Sequence, residues 1–134
     1  MRFLFSTVIW GKQYVDDFLA HSLPTQLAWG NLGDFPWAEG SAYLIMTTAE
    51  DNARLEASPL MRRLKRIMTV IYGDLSEIPL HNKYIGASMA QQEALKQASN
   101  YDAVFFVYPD FLCATGTIQY SARKIIEGWD AVMF

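Results

Sequence analysis

The chain has 134 residues, of which 51% are hydrophobic and 19% are charged, so composition excludes a disordered chain and favours one domain with its own core. Its formal net charge of −3 does not favour a nucleic-acid-binding surface, so we expect no nucleic-acid partner. The only cysteine, Cys113, excludes an intrachain disulfide and fits a reducing compartment, which predicts a cytoplasmic protein. We expect no transmembrane segment, because no apolar run approaches the roughly 20 residues that span a bilayer.

Five short apolar segments predict β-strands. They are rich in valine, isoleucine, phenylalanine and tyrosine, and they are nearly continuous rather than alternating, which is typical of strands covered on both faces. The segments are residues 3–9, 42–46, 67–72, 103–108 and, at the end of the sequence, 130–134.

Helical patterns lie between these segments. The first begins near Tyr14 and is expected to break or kink near Pro24. The second covers residues 49–64, with an interruption at Ser58-Pro59 where a serine can cap a new helix. Two more are predicted over residues 83–99 and 115–129.

The alternation of strands and helices predicts βαβ units. We therefore expect residues 1–134 to form a single three-layer αβα domain with a mostly parallel, Rossmann-like sheet of about four or five strands, the first of them central. The irregular stretch at residues 28–41 is long for a connection in a compact domain, and loops of this kind are often functional.

In open α/β sheets, ligands bind at the carboxyl ends of the strands, so the polar residues that follow each strand are candidates for a site. Each of them also has a structural alternative: a threonine after the second strand can cap the next helix, a tryptophan can belong to the core, and an aspartate after proline can belong to a turn. The candidates are Thr7 and Trp10 around the end of the first strand, Thr47, Thr48 and Asp51 after the second, and Asp110 after the fourth.

Asp110 is the residue that a structural role explains least well. An apolar strand delivers its carboxylate to the ligand-binding edge, where a carboxylate can hold a divalent cation that bridges a diphosphate, or can accept a hydrogen bond from a ribose. The sequence contains neither a GxGxxG fingerprint nor a GxxxxGK[ST] phosphate loop, which removes the main support for dinucleotide-binding and P-loop proteins.

Two connected stretches resemble the GT-A glycosyltransferases. They are KYIGASMA at residues 83–90, continued by Ala94 and Ala98, and YDAVFFVYPD at residues 101–110. In that family an alanine-rich helix leads into an apolar strand that ends in an Asp-x-Asp motif, which holds the metal and the diphosphate of the nucleotide sugar. Here Asp110 takes the place of the last aspartate of the motif and Tyr108 the place of the first, which leaves metal dependence open.

The resemblance implies a set of ligand contacts. A nucleotide-diphosphate sugar is the expected ligand, with Mn²⁺ or Mg²⁺ as a possible cofactor held by Asp110. Because the family binds its base near the ends of the first two strands, Thr7 and Asp51 become candidate base or ribose contacts. The full set of cofactor-binding candidates is Thr7, Trp10, Thr47, Thr48, Asp51, Lys83 and Asp110.

The resemblance also implies a function: the chain is expected to be the donor-binding half of a glycosyltransferase whose acceptor the sequence does not identify. We expect it to be truncated at its C-terminal end, inactive by itself, and able to form a homodimer through the last strand region. The alternative is a non-catalytic nucleotide-binding or regulatory module of the flavodoxin-like or receiver-like type. A receiver needs paired acidic residues after its first strand and a flavodoxin needs a phosphate-binding loop there, whereas this chain has Trp10-Gly11-Lys12.

Overall fold

The computed structural model describes residues 1–133, in which strands and helices alternate along the chain. The strands are β1 (Phe3–Val8), β2 (Ala42–Thr47), β3 (Thr69–Asp74) and β4 (Ala103–Phe106). The helices are α1 (Lys12–Asp17), α2 (Leu23–Gln26), α3 (Ala49–Glu56), α4 (Pro59–Ile67), α5 (Lys83–Leu95) and α6 (Thr117–Ile126). A π-helical turn (Phe18–Ser22) joins α1 to α2, and a 3₁₀ turn (Ala98–Asn100) precedes β4. Within residues 1–133, no helix has the length and hydrophobicity to cross a membrane.

All four strands are parallel and lie in the order β3-β2-β1-β4, which confirms the predicted α/β fold and the interior position of the first strand. Phe5 on β1 lies opposite Tyr43 on β2 and Phe105 on β4. This order matches the first four strands of a Rossmann-like sheet. The chain runs outward from β1 through β2 to β3 and then crosses back to β4, so the direction of winding reverses at β1.

The two faces of the sheet are covered differently. One face packs against α5, where the small residues Ala90 and Ala94 lie close to Leu4 and Leu44. The other face carries the larger core, in which all the remaining helices take part and the ring of Phe105 contacts those of Phe3 and Phe5. Together the sheet and its two helical faces form the three expected layers.

One prediction about local structure needs correction. The expected fifth strand at residues 130–134 is wrong for residues 130–133, which are irregular, and Phe134 lies outside the described residues. Trp129 and Met133 are exposed, so the apolar composition of this segment does not reflect a place in the core. A break or kink in the first helix was expected near Pro24; the regular α-helix is interrupted by the π-helical turn that ends at Ser22, and the backbone then stays helical as far as Gln26. The interruption expected at Ser58-Pro59 is confirmed, since Ser58 caps α4.

Candidate functional site

The reversal of winding marks where a ligand is expected to bind. In a doubly wound sheet, the connections that leave two neighbouring strands in opposite directions open a crevice at their carboxyl ends. Here that point lies between β1 and β4. It is bordered by the turn at Gly11, which follows β1, and by residues 107–116, which follow β4 and which we name the β4 loop.

A pocket of about 250 Å³ lies at the same edge, farther out, between the ends of β2 and β3 and the start of α3. We name it the β2–β3 pocket; it is lined by Thr47, Thr48, Ala49, Asn52, Tyr72, Gly73 and Asp74. Thr47 is only 3% exposed. Within residues 1–133, its Oγ1 and the Oδ1 of Asn52 have no hydrogen-bond partner.

These two oxygens make the β2–β3 pocket a candidate binding site. A buried hydroxyl or amide oxygen without a partner lowers stability by roughly 1–3 kcal/mol, so such atoms in a native fold call for an explanation. A polar ligand in the pocket would supply the missing partners. The sequence pointed to Thr47, whereas Asn52 was missed, because an asparagine in a helix has no sequence signal that separates a ligand contact from a solvated side chain.

Thr7 also has a buried hydroxyl without a partner in the described residues, but it does not line this pocket. It lies in β1, beside the point of reversal, and its strand is directly hydrogen bonded to the start of the β4 loop through Val107 N–H and the Ser6 carbonyl, 2.9 Å apart. Ser6, on the opposite face of β1, has an unpartnered hydroxyl as well. An unpartnered hydroxyl therefore identifies a site only when a cavity lies beside it.

Thr48 and Asp51 fasten α3 to the loop after β1. The Thr48 hydroxyl caps α3 by accepting the Asp51 N–H at 3.2 Å, and it donates to the Asp51 carboxylate at 3.0 Å. The same carboxylate accepts the Gly11 N–H at 2.7 Å and the Arg54 guanidinium at 2.5 Å. Burial alone would raise the pKa of Asp51, but the hydrogen bonds from Gly11, Thr48 and Arg54 outweigh it, and the pKa lies below its usual value.

These partners already use the polar atoms of both side chains. Of the candidate residues at this edge, Asp51 is thus held by the protein itself, whereas Thr47 keeps a buried hydroxyl without a partner in the described residues. Gly11 adopts φ of 92°, which a residue with a side chain rarely does, and this brings its N–H to Asp51.

Trp10 and Lys83 lie apart from the β2–β3 pocket. Trp10 is half-buried and packs against the smaller core beneath α5. Lys83 is exposed at the first position of α5, where its ammonium lies 5.1 Å from the centre of the Tyr84 ring. The structure therefore does not place these two side chains with Thr47.

Asp110 lies in a tight turn at the start of the β4 loop. The Phe111 N–H donates to the Tyr108 carbonyl at 3.1 Å, with Pro109 and Asp110 between them, and the rings of Tyr108 and Phe111 are 5.0 Å apart. The Asp110 side chain is exposed and forms no hydrogen bond or ion pair within residues 1–133. The turn thus presents a solvated carboxylate at the carboxyl end of β4.

The β4 loop is held in place by the long stretch at residues 28–41. Asn31, which is fully buried, donates to the carbonyls of Thr25 and Ala114 and accepts the Ile118 N–H, each at 3.0 Å. The Gln119 side chain donates back to Asn31 O at 3.2 Å. Residues 28–41 therefore brace the β4 loop, and their candidate functional role is indirect. No sequence signal distinguished Asn31 from its neighbours.

The donor set for a metal is small. Within residues 1–133, no group of three or more histidine, cysteine, aspartate or glutamate side chains is close enough to hold an ion. A lone carboxylate such as Asp110 fits the way in which Mg²⁺ is bound through one or two carboxylates together with substrate phosphates, but not a cage made by the protein alone.

In comparisons with known proteins, no family model and no curated protein matches the sequence, and no solved structure matches the fold.

Proposed function

We propose that this chain binds a nucleotide-diphosphate sugar along the carboxyl edge of its sheet and forms the donor-binding part of a glycosyltransferase. The observation that carries the proposal is the buried, unpartnered hydroxyl of Thr47 in the wall of the β2–β3 pocket. The strand order and the resemblance of residues 83–110 to GT-A enzymes support the same function.

The base is proposed to lie in the β2–β3 pocket. The Thr47 hydroxyl can donate and accept, and the Asn52 side chain presents an acceptor, so the pocket suits a neutral ring with both N–H donors and a carbonyl or ring nitrogen. The acidic residues of the first turn of α3, Glu50 and Asp51, and Asp74 in the pocket wall oppose an anion. The phosphates are therefore expected to point away from this pocket.

The diphosphate is proposed to extend toward the point of reversal and the Asp110 turn. Strands lie about 4.8 Å apart, so the two and a half spacings from the β2–β3 pocket to β4 amount to about 12 Å. An extended nucleotide sugar spans such a distance. A divalent cation bound there by Asp110 and the phosphate oxygens would neutralise the charge of the departing nucleoside diphosphate.

The strand order also weighs against the alternative function. Flavodoxin-like and receiver domains share the order 2-1-3-4-5, in which the third strand lies beside the first. Here β3 lies beside β2, and β4 takes the place beside β1. We therefore give the donor-binding function precedence over a flavodoxin-like or receiver-like module.

The acceptor, the oligomeric state and the cellular location are also part of the proposal. The acceptor is proposed to bind outside the β2–β3 pocket and the Asp110 turn, and this chain by itself is not expected to transfer sugar. Phe106, Tyr108, Trp129 and Met133 are exposed near the edge of β4, and a second copy of the chain is the partner proposed to cover them. The single cysteine of the sequence, Cys113, is buried, and a cytoplasmic location is proposed because that compartment keeps thiols reduced.

Calorimetry tests the ligand. We expect one of UDP, GDP, CDP and ADP to bind with a dissociation constant between tens of micromolar and millimolar, about 4–6 kcal/mol. Thr47→Val should weaken that binding about tenfold, because one hydrogen bond of roughly 1.4 kcal/mol is lost. Asp110→Asn should abolish only the gain in affinity that Mn²⁺ brings to the diphosphate, and leave the affinity for the nucleoside unchanged.

Thr69→Val, at the opposite end of the sheet, is the matched control and should bind like the wild type. If no nucleoside diphosphate binds the wild type, the proposed function is wrong. If Thr47→Val binds as tightly as the wild type, the base does not lie in the β2–β3 pocket. Light scattering of the same samples tests the homodimer, and a concentration-independent monomer would contradict it.

A further inference from the structure

A buried chain of hydrogen bonds runs from the middle of the sheet to the residue that follows Asp110. The Tyr43 hydroxyl on β2 donates to Gln26 Oε1 at 2.7 Å. Gln26 Nε2 donates to Ser22 Oγ at 3.0 Å, and Ser22 Oγ donates to the Phe111 carbonyl at 2.6 Å. The chain therefore connects a rigid strand with the backbone of the Asp110 turn.

All three side chains of this chain are shielded from water: Tyr43 and Gln26 are fully buried and Ser22 is 1% exposed. Among Tyr43, Gln26 and Ser22 a missing partner cannot be replaced by solvent, so each of these bonds depends on the next, whereas the bond to the Phe111 carbonyl is only partly buried. A change at Tyr43 is for this reason expected to be felt at Phe111, although the two residues do not share a hydrogen bond.

The direction of the bonds depends on the Gln26 amide. Because the Tyr43 hydroxyl occupies Oε1, the amide nitrogen points at Ser22, and the single hydroxyl proton of Ser22 is left to donate to Phe111. Without the Tyr43 hydroxyl, the amide can rotate by half a turn. Its oxygen would then accept the Ser22 proton, and the Phe111 carbonyl would lose its donor.

The π-helical turn explains how Ser22 comes to face the β4 loop. Ser22 is the last residue of that turn. A π-helical turn carries one more residue than an α-helical turn, so the side chains that follow it point in another direction than a regular helix would allow; such turns are frequent at functional sites. Thr25, one turn later, accepts the Cys113 N–H at 3.0 Å and provides a second fastening for the same loop.

We propose that Ser22, held by Gln26 and Tyr43, is a positioning residue for the diphosphate and its cation: it fixes the Phe111 carbonyl and thereby the turn that presents Asp110. This role rests on the proposed function, in which the diphosphate end of the ligand binds at the Asp110 turn. The Phe111 N–H closes that turn onto Tyr108, so a fixed Phe111 limits the directions in which the Asp110 carboxylate can point.

The experiment measures two affinities by calorimetry for each variant: that for the nucleoside, and that for the matching nucleoside diphosphate with Mn²⁺, using whichever of UDP, GDP, CDP and ADP binds the wild type best. The ratio of the two affinities is the gain due to the diphosphate and Mn²⁺. Ser22→Ala should reduce this gain about tenfold and leave the affinity for the nucleoside unchanged, because loss of a hydrogen bond behind a metal-binding group typically lowers metal affinity 10–100-fold. Tyr43→Phe keeps the ring in the core and should reduce the same gain by a smaller factor.

Ser121→Ala is the matched control, because Ser121 is similarly buried and, among residues 1–133, its hydroxyl bonds only to Thr117 O within α6. It should keep the full gain. A wild type that binds neither ligand contradicts the proposed function, and the positioning role with it. If the wild type binds the diphosphate with Mn²⁺ more tightly than the nucleoside, and Ser22→Ala and Tyr43→Phe both keep this gain in affinity, the positioning role alone is wrong. The positioning role is also wrong if the variants lose both affinities in parallel, because that result would indicate a general structural effect. Should Ser22→Ala not fold, the Tyr43→Phe result decides by itself.

Discussion

The β2–β3 pocket and the β4 loop lie at the same edge of the sheet, but they differ in whether their buried polar atoms have hydrogen-bond partners. The pocket is built from regular elements and contains two oxygens, Thr47 Oγ1 and Asn52 Oδ1, that have no partner within residues 1–133. The loop is irregular, yet the side chains that hold it, such as Asn31 and Ser22, are fully hydrogen bonded. The side chains that support the loop therefore have their polar atoms satisfied by the protein itself, whereas the lining of the β2–β3 pocket keeps two oxygens that the described residues do not satisfy, and the proposed binding site depends on this difference.

The largest expected effect is that of removing the central support of the β4 loop. Asn31→Ala deletes three hydrogen bonds and leaves the Ile118 N–H without a partner, so the free energy of unfolding should fall by about 3 kcal/mol. Urea unfolding measures this change. Asn100→Ala, in the exposed 3₁₀ turn, is the control and should stay within about 0.5 kcal/mol of the wild type. A small effect of Asn31→Ala would mean that the loop is held mainly by other contacts.

A pair of isosteric substitutions compares a used hydroxyl with an unused one. Thr25→Val removes the acceptor of the Cys113 N–H and should lower the free energy of unfolding by about 1–2 kcal/mol. Thr47→Val removes a hydroxyl that has no partner in the described residues, so stability should be unchanged or rise by up to about 1 kcal/mol, while nucleotide binding weakens. Thermal or urea unfolding of both variants gives the comparison. Equal losses of stability would remove the distinction between the two regions.

The smallest expected effect is the pH dependence of the stability that the hydrogen bonds of the Asp51 carboxylate contribute. Because the pKa of Asp51 is lower in the folded protein than in the unfolded chain, its carboxylate stabilises the fold fully above the unfolded value of about 3.9. That contribution is lost as the pH falls below this value and through the lower folded pKa. The wild type should therefore be more stable than Asp51→Asn at neutral pH, and the difference should shrink below about pH 4. Urea unfolding at several pH values checks this, and a difference that stays constant with pH would contradict it.

The fold was predictable from the sequence to a large extent. Continuous apolar segments separated by amphipathic ones predicted parallel strands and their helices, and the Ser58-Pro59 cap between α3 and α4 could be read directly. The error at residues 130–133 has the same origin, because an apolar pattern does not tell whether a segment pairs with a sheet or stays exposed beside it.

The site was predictable only as a set of polar residues at one edge of the sheet. Parallel strands end at the same edge, so Thr47, Thr48, Asp51 and Asp110 could be assigned to it from the sequence alone. Which of them keep an unused polar atom depends on partners far away in the chain: Asp51 is engaged by Gly11, 40 residues earlier, and Phe111 beside Asp110 by Ser22, 89 residues earlier. The sequence determined the fold class and the edge through local periodicity, whereas the tertiary structure alone decided which polar groups the protein satisfies itself and which it leaves without a partner, because hydrogen-bond partners are chosen in space and not along the chain.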